Sequence, residues 1–424
     1  MCPGQLGTDC SVVPHRDPCP VRHLSGPGGH GLGFVVCPAG VSGPRRLGRV
    51  ESFDVAVVGA GPAGSTAALA ARRGGADVVL LDRSDFPRDK PCGDGLAPEV
   101  FDVLAALGVG DAAAGYPAVP TLRLVSPGGE VVARALHAGT RTIPRQVFDH
   151  RLVAAAVDAG VRFRRHRVRS VEQLGDRVVI DGTFTARVVV GADGAGSVVR
   201  QALGHPGNPP GHVALAIRGY APAPAGPPEQ RIVTIPGRWP AYAWSFPIGD
   251  GRANVGYGEL LRGEALTRGY LLAQLGALLP DLELDAATDW RGHHLPLSTR
   301  RPAPGRGRLV LAGDALSLIN PFTGEGIYYA VVSGTLAGAA AAGAVSATGG
   351  ADVADRYRRA LTRRLGGHLR HTAVAARLGR WPRLADAAVR AARDDQRVFD
   401  TLLAVGLADG RLTPAALWRI ARRL

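Results

Sequence analysis

Asp54-Val55-Ala56-Val57-Val58 is a short apolar run without polar alternation; it stops at Gly59-Ala60-Gly61-Pro62-Ala63-Gly64, and an Ala-rich helical pattern follows. A β-branched run of that kind predicts a strand covered on both faces, as in a parallel sheet. Similar runs recur at Asp77 to Leu81, Val188 to Val190 and Leu309 to Leu311. The intervening segments alternate instead. Thr121 to Arg134 reads as a hairpin turned at Pro127-Gly128-Gly129, and His212 to Tyr220, Arg231 to Ile235 and Ala241 to Phe246 read as further half-buried strands. Gly326 to Thr348 is uncharged and long enough to cross a bilayer. It is rich in Ala and Gly rather than Leu and follows a polar glycine motif, so a helix buried against the sheet is expected. After Ala351 the pattern is helical, with breaks at Pro382 and Pro414.

These patterns predict an α/β protein. Segments 51–95, 141–204 and 301–350 form a Rossmann-type domain; 96–140 and 205–300 form an inserted antiparallel β domain for substrate; 351–424 form a C-terminal helical region. Residues 1–50 stand apart. They are rich in Gly and Pro, without periodicity or the order of a signal peptide, and read as a disordered arm or an over-long gene start.

Composition narrows the class. Hydrophobic residues make up 46% and charged residues 20% of 424, the balance of a soluble globular protein with a sizeable core. Four of the five cysteines lie in the first fifty positions, with neither metal-ligand spacing nor a disulfide framework, which points to a cytoplasmic protein without a metal site. The net charge of +14 is uneven: from Ala351 to Leu424 there are 16 arginines against 7 aspartates. These arginines alternate with Ala and Leu at helical spacing and carry no aromatic platform for bases. They predict a solvated helix face or a peripheral contact with the inner face of the membrane, and no nucleic acid.

The glycine cluster after the first strand is a GxGxxG in strand-turn-helix context. Gly59 permits the turn, Gly61 lets the backbone approach a pyrophosphate, Gly64 lets helix and strand pack closely, and the helix start offers free N–H groups to phosphates. Asp82 ends the next strand, 18 residues past Gly64, and suits ribose hydroxyls. Val188 to Val190 runs into Gly191-Ala192-Asp193-Gly194, and Leu309 to Leu311 into Gly313-Asp314, followed by Asn320-Pro321-Phe322-Thr323-Gly324-Glu325-Gly326. In this order the three segments resemble the FAD-dependent oxidoreductases with the para-hydroxybenzoate-hydroxylase-like fold. The resemblance implies that Gly59, Gly61, Pro62, Ala63, Gly64, Asp82 and Arg83 hold the ADP half of FAD. It implies that Asp314 meets the ribityl chain, that Pro321, Gly324, Gly326 and Ile327 line the isoalloxazine, that Arg145 lies near the cofactor and that Asp193 is structural. No second strand-GxGxxG-helix unit occurs, so the electron donor (NADPH, NADH or a ferredoxin-like reductant protein) must dock transiently.

Two further motifs narrow the chemistry. Lys90, the only lysine of the chain, opens Lys90-Pro91-Cys92-Gly93, and Tyr242-Ala243-Trp244-Ser245-Phe246-Pro247 places three aromatics on one strand face. Both resemble the motifs of geranylgeranyl reductases. That resemblance implies saturation of isolated C=C bonds in a prenylated lipid, a menaquinone tail or a terpenoid. An alkene without a carbonyl needs a proton at one carbon and a hydride from the flavin at the other. The transient positive charge favours aromatic faces and exclusion of water. Cys92 is the first candidate proton donor and Tyr242 the second; otherwise Cys92 and Gly93 shape the loop beside the flavin. Trp244, Phe246 and Pro247 would flank the chain, and Lys90 either meets the cofactor or anchors its loop. Alternatives are a monooxygenase or halogenase of the same fold, or a non-catalytic flavin- or lipid-binding protein, in which a thiol at the flavin would have no purpose.

Overall fold

The structure, a computed structural model, describes residues 50–424. The reading of residues 1–50 as an arm or misplaced start lies, Val50 apart, outside the described residues.

The apolar runs assemble one sheet. Glu51–Val58 lies between Val78–Asp82 and Phe184–Gly191, parallel to both. Leu309–Leu311 extends the parallel set on one side and Arg162–Arg165 on the other. Val55, Ala56, Val57, Leu80 and Val189 are wholly buried, which explains the unbroken apolar pattern: both faces of the sheet are covered, and each large apolar side chain contributes about 1.5–3 kcal/mol relative to exposure. Helix Pro62–Arg73 packs against helix Ile327–Thr348 so closely that a Cβ on Gly334 would fall on the Ala63 carbonyl, and one on Gly338 on the Ala67 carbonyl. The long apolar stretch is therefore a core helix, as its Ala and Gly content implied.

The alternating segments build a second sheet. Its order is Thr288–Pro296, Val213–Pro222, Arg252–Leu260, Ala241–Pro247, Glu229–Thr234, Val119–Val125, Val131–Thr142 and Gly95–Leu96. The expectation of an antiparallel sheet needs one correction, because Glu229–Thr234 runs parallel to Val119–Val125. These two strands come from separate chain excursions, and no hairpin forces them to oppose. Gly95 pairs with Thr142 and Leu96 with Arg141, so the loop carrying Cys92 crosses from the first sheet and is stitched to the edge of the second.

Helices Val353–Leu378, Pro382–Asp394, Gln396–Leu407 and Pro414–Ala421 follow. Pro382 and Pro414 each occupy the first turn of a helix, where the missing N–H costs nothing. Ala387, Ala392, Phe399 and Ile420 share a core with Leu122 and Val132, so these helices cap the second sheet. Asp386 Oδ1 fixes the contact by accepting from Ser126 Oγ (2.5 Å) and from Gly128 N–H (2.8 Å) at the hairpin turn.

Candidate active site

The register places three turns side by side at the carboxyl ends of the parallel strands, since Val58 and Leu311 both pair with Gly191. Gly59 has φ +95°, and a side chain there would meet the Ala192 backbone at 2.7 Å. Gly64 has no room at all, because a Cβ would overlap the Gly59 carbonyl. Gly61 differs. A Cβ there would meet nothing nearer than 3.8 Å (Arg88 Nη2) and 3.9 Å (Arg145 Nη2), so it would project into open cleft. The helix behind it starts with Pro62 and no side-chain cap, leaving its first N–H groups for a ligand. An open cradle at Gly61, tight packing at Gly59 and Gly64, and two guanidiniums opposite fit a pyrophosphate. Asp82 stands beside this turn, its oxygens accepting from Ala60 N–H (2.8 Å) and Ser84 N–H (2.9 Å). Arg83 is exposed and does not line the cleft. Asp193 accepts from Ser197 Oγ (2.5 Å) and Val198 N–H (2.7 Å), closing the second turn.

Arg145 is buried and forms a two-point pair with Asp149 (2.6 and 2.7 Å), which Arg88 joins at 3.2 Å. Arg88, whose guanidinium stands opposite Gly61, is a cation that no motif in the sequence marked. Lys90 Nζ lies 3.2 Å from Asp314 Oδ2, with His293 Nε2 at 3.9 Å from the same oxygen. Burial alone would raise the Asp314 carboxyl; Lys90 and His293 instead hold it well below the usual carboxylate range. Lys90 therefore anchors its loop through Asp314.

The two reductase-like motifs pack on each other. A Cβ on Gly93 would lie 3.5 Å from Trp244 Nε1 and 3.6 Å from Phe246 Cε2, and one on Gly95 would lie 3.3 Å from the Phe246 ring. The loop bearing Cys92 can approach the aromatic strand this closely because both positions lack side chains. Tyr242, Trp244 and Phe246 all line the cleft, with Tyr242 and Trp244 ring centroids 6.0 Å apart; Pro247 does not line it. Trp244 Nε1 donates to Asn254 Oδ1 (2.8 Å), which fixes the indole. The Tyr242 hydroxyl donates to the Thr323 carbonyl, tying the aromatic strand to the third glycine segment. Burial pushes the Cys92 thiol up, outweighing the nearby Arg145, and pushes the Tyr242 hydroxyl up as well. Both therefore keep their protons at neutral pH.

Two carboxyls complete the site that sequence reasoning did not single out. Glu325 accepts the Tyr328 N–H (2.8 Å) at the start of the long helix. Burial pushes it up to about 7, although those N–H groups and Arg145 pull it down. Asp94, two residues beyond Cys92, is wholly buried. In sequence both resemble ordinary turn residues, and only their place in the folded cleft sets them apart.

These residues surround a cleft of about 1670 Å³, including its open mouth, bordered by Gly61, Cys92, Arg145, Tyr242, Asp314 and Gly326. A second cavity of about 1220 Å³, its open mouth included, adjoins it at Leu122, Ile232, Tyr242, Phe322, Thr323 and Leu407. It runs between the second sheet and the C-terminal helices, lined by Leu124, Leu378, Leu384, Phe399, Leu403 and Leu417 among others, almost wholly apolar.

Comparison with known proteins agrees with this geometry. Residues 52–219 match the FAD binding domain family. The chain is 33% identical to the menaquinone reductase of Mycobacterium tuberculosis, over 68% of this chain and 76% of that one. It is also 33% identical to digeranylgeranylglycerophospholipid reductase 1 of Methanopyrus kandleri, over 69% and 81% of the two chains. Among solved structures, a geranylgeranyl bacteriochlorophyll reductase-like protein from Thermoplasma acidophilum superposes with a TM-score of 0.74 at 21% identity, covering 88% of this chain and 97% of the other.

Proposed function

Because the chain belongs to the geranylgeranyl reductase family of FAD-dependent oxidoreductases, we propose that it saturates isolated C=C bonds of a prenyl chain carried by a lipid, a quinone or a terpenoid. FAD, when bound and reduced, supplies the hydride equivalent. The residues around it do the rest. Arg88, Arg145 and the Gly61 turn bind the phosphates, and the Lys90–Asp314 pair holds the thiol loop in place. Cys92 presents a protonated thiol on a loop that packs against Trp244 and Phe246, and these rings line the same cleft and stabilise positive charge where water would quench it. The Tyr242 hydroxyl is engaged with Thr323 and orients the strand.

The observation that carries this reading is the second cavity. An almost wholly apolar space that opens onto the aromatic face at Tyr242 fits a hydrocarbon chain. A compact aromatic metabolite, the substrate of a hydroxylase or halogenase, would fit in the first cleft and leave this second space without an occupant. The test is anaerobic: flavin reduced with dithionite, a geranylgeranyl substrate in detergent, and product analysed by mass. A gain of two hydrogens per saturated bond is expected. Unchanged substrate over fully reduced flavin overturns the reading.

The substrate reaches this cavity from a membrane. Trp381 (63% exposed) stands just before helix Pro382–Asp394, and Trp418 (59%) and Leu417 (42%) stand on helix Pro414–Ala421, among the excess arginines. Leu417 also lines the apolar cavity, so the cavity ends beneath this surface. Exposed indoles beside arginines suit an anionic lipid interface.

A further inference from the structure

Asp94 has no part in the roles assigned above, yet it is the most constrained acid of the cleft. It is wholly buried, and its backbone has φ +59°, a region non-glycine residues adopt rarely. Its Oδ2 accepts from Tyr220 OH (2.6 Å) and Asn254 Nδ2 (2.7 Å). Asn254 also donates to the Cys92 carbonyl (2.8 Å) and accepts from Trp244, so carboxyl, thiol loop and aromatic strand form one network. A charge on Asp94 opposes a charge on the Cys92 thiol two residues before it. The other carboxyl oxygen, Oδ1, is buried without any partner, on a residue that lines the cleft. Merely holding Tyr220 and Asn254 uses Oδ2 alone and leaves Oδ1 unexplained. A buried charged oxygen without a donor is costly, whereas a protonated one is neutral and can donate.

We infer that Asp94 is the proton reservoir of this site: its carboxyl carries a proton on Oδ1 and returns it to Cys92 after the thiol has protonated the substrate. The inference rests on the prenyl-reductase reading. In the first step the S–H bond breaks and its proton forms a C–H bond at one alkene carbon, while the hydride equivalent forms the C–H bond at the other. The Asp94 O–H bond then breaks and the S–H bond re-forms, the proton passing through one water of the cleft because Oδ1 makes no contact with the thiol. The carboxylate takes a proton from solvent before the next turnover, so no oxidant or reductant beyond the reduced flavin is needed. Electrostatics agrees. Burial raises Asp94 to about 6, against the pull of Arg218, Tyr220, Asn254 and Arg145, which with Cys92 are the polar groups facing it.

The test uses the full chain loaded with FAD. Asp94→Asn keeps an acceptor for Tyr220 and Asn254, so flavin content and KM should hold while kcat falls by about 10²–10⁴-fold, the usual weight of a lost general acid. Asp94→Gly suits the positive φ, and added formate should restore part of its rate. An infrared difference between wild type and Asp94→Asn, without substrate, should show a protonated-carboxyl band at pH 5 that is gone at pH 8. Lack of that band at pH 5, or wild-type kcat in Asp94→Asn, overturns the inference. Wild type that shows the band yet never reduces a prenyl chain overturns the function reading instead, so the two failures are distinguishable.

Discussion

Lys90 Nζ sits 3.2 Å from Asp314 Oδ2, joining the thiol loop to the turn after the last parallel strand across 224 positions of sequence. Arginine serves everywhere else in this chain. A compact ammonium on a flexible stem delivers a point charge to one carboxylate oxygen, where a planar guanidinium would demand more room.

Lys90→Met should therefore lower stability by about 1–3 kcal/mol at neutral pH, the cost of leaving a mostly buried carboxylate poorly partnered. The sign with pH is fixed. Asp314 has its folded value depressed, so its contribution is complete above the ordinary carboxylate range and lost as pH falls through the folded value. The gap in Tm between wild type and variant should narrow as pH drops from 7 towards 3. A gap that is absent at pH 7 or widens in acid would show that the pair is not stabilising.

Gly61→Val should give folded protein that binds FAD about a hundredfold more weakly, roughly 2.8 kcal/mol. Valine meets no protein atom nearer than 3.8 Å at that Cβ, so the fold has space for it. What it enters is the path expected for the pyrophosphate. Circular dichroism like wild type with a low flavin-to-protein ratio is the expected pair of readings; full flavin content would remove the phosphate role of this turn.

Much of this site was legible because its requirements are local. Gly59 needs a positive φ and Gly64 a close approach, and both leave a mark in sequence. The aromatic alternation of Tyr242, Trp244 and Phe246 likewise survives as a period of two. The strand Arg252–Leu260 was harder: Asn254 and Glu259 are buried polar residues there, and Gly256 makes room for Trp244, so its pattern reads as broken. Asp94 and Glu325 were illegible because their surroundings, Tyr220 and Asn254 for the first and Arg145 for the second, come from segments more than a hundred residues away, and Arg88 because its interest lies in its contacts with Gly61 and Asp149 rather than in any motif. The parallel pairing of Glu229–Thr234 with Val119–Val125 also depends on chain path rather than on pattern.

Membrane contact should depend on Trp381 and Trp418. Wild type should co-sediment with vesicles containing anionic lipid and be released by salt, each nearby arginine contributing about 1 kcal/mol. Trp381→Ala together with Trp418→Ala should weaken binding without changing Tm, since both side chains are exposed. Binding that is indifferent to both tryptophans and to lipid charge would place the contact elsewhere.

Cys92→Ala should keep its flavin and its Tm but lose about 10²–10⁴-fold in alkene reduction, while Cys92→Ser should retain a fraction because a hydroxyl still relays a proton. The thiol lies on the loop that Gly93 and Gly95 bring onto Trp244 and Phe246, and burial keeps it protonated. A packing role would behave differently. Removing one sulfur from a half-buried site would lower Tm, and serine would then be the more damaging change because it places a polar group in the same space. The order of the two variants in rate, with Tm measured alongside, separates the cases. Wild-type turnover in Cys92→Ala would pass the donor role to Tyr242, whose hydroxyl is also protonated and faces the same cleft.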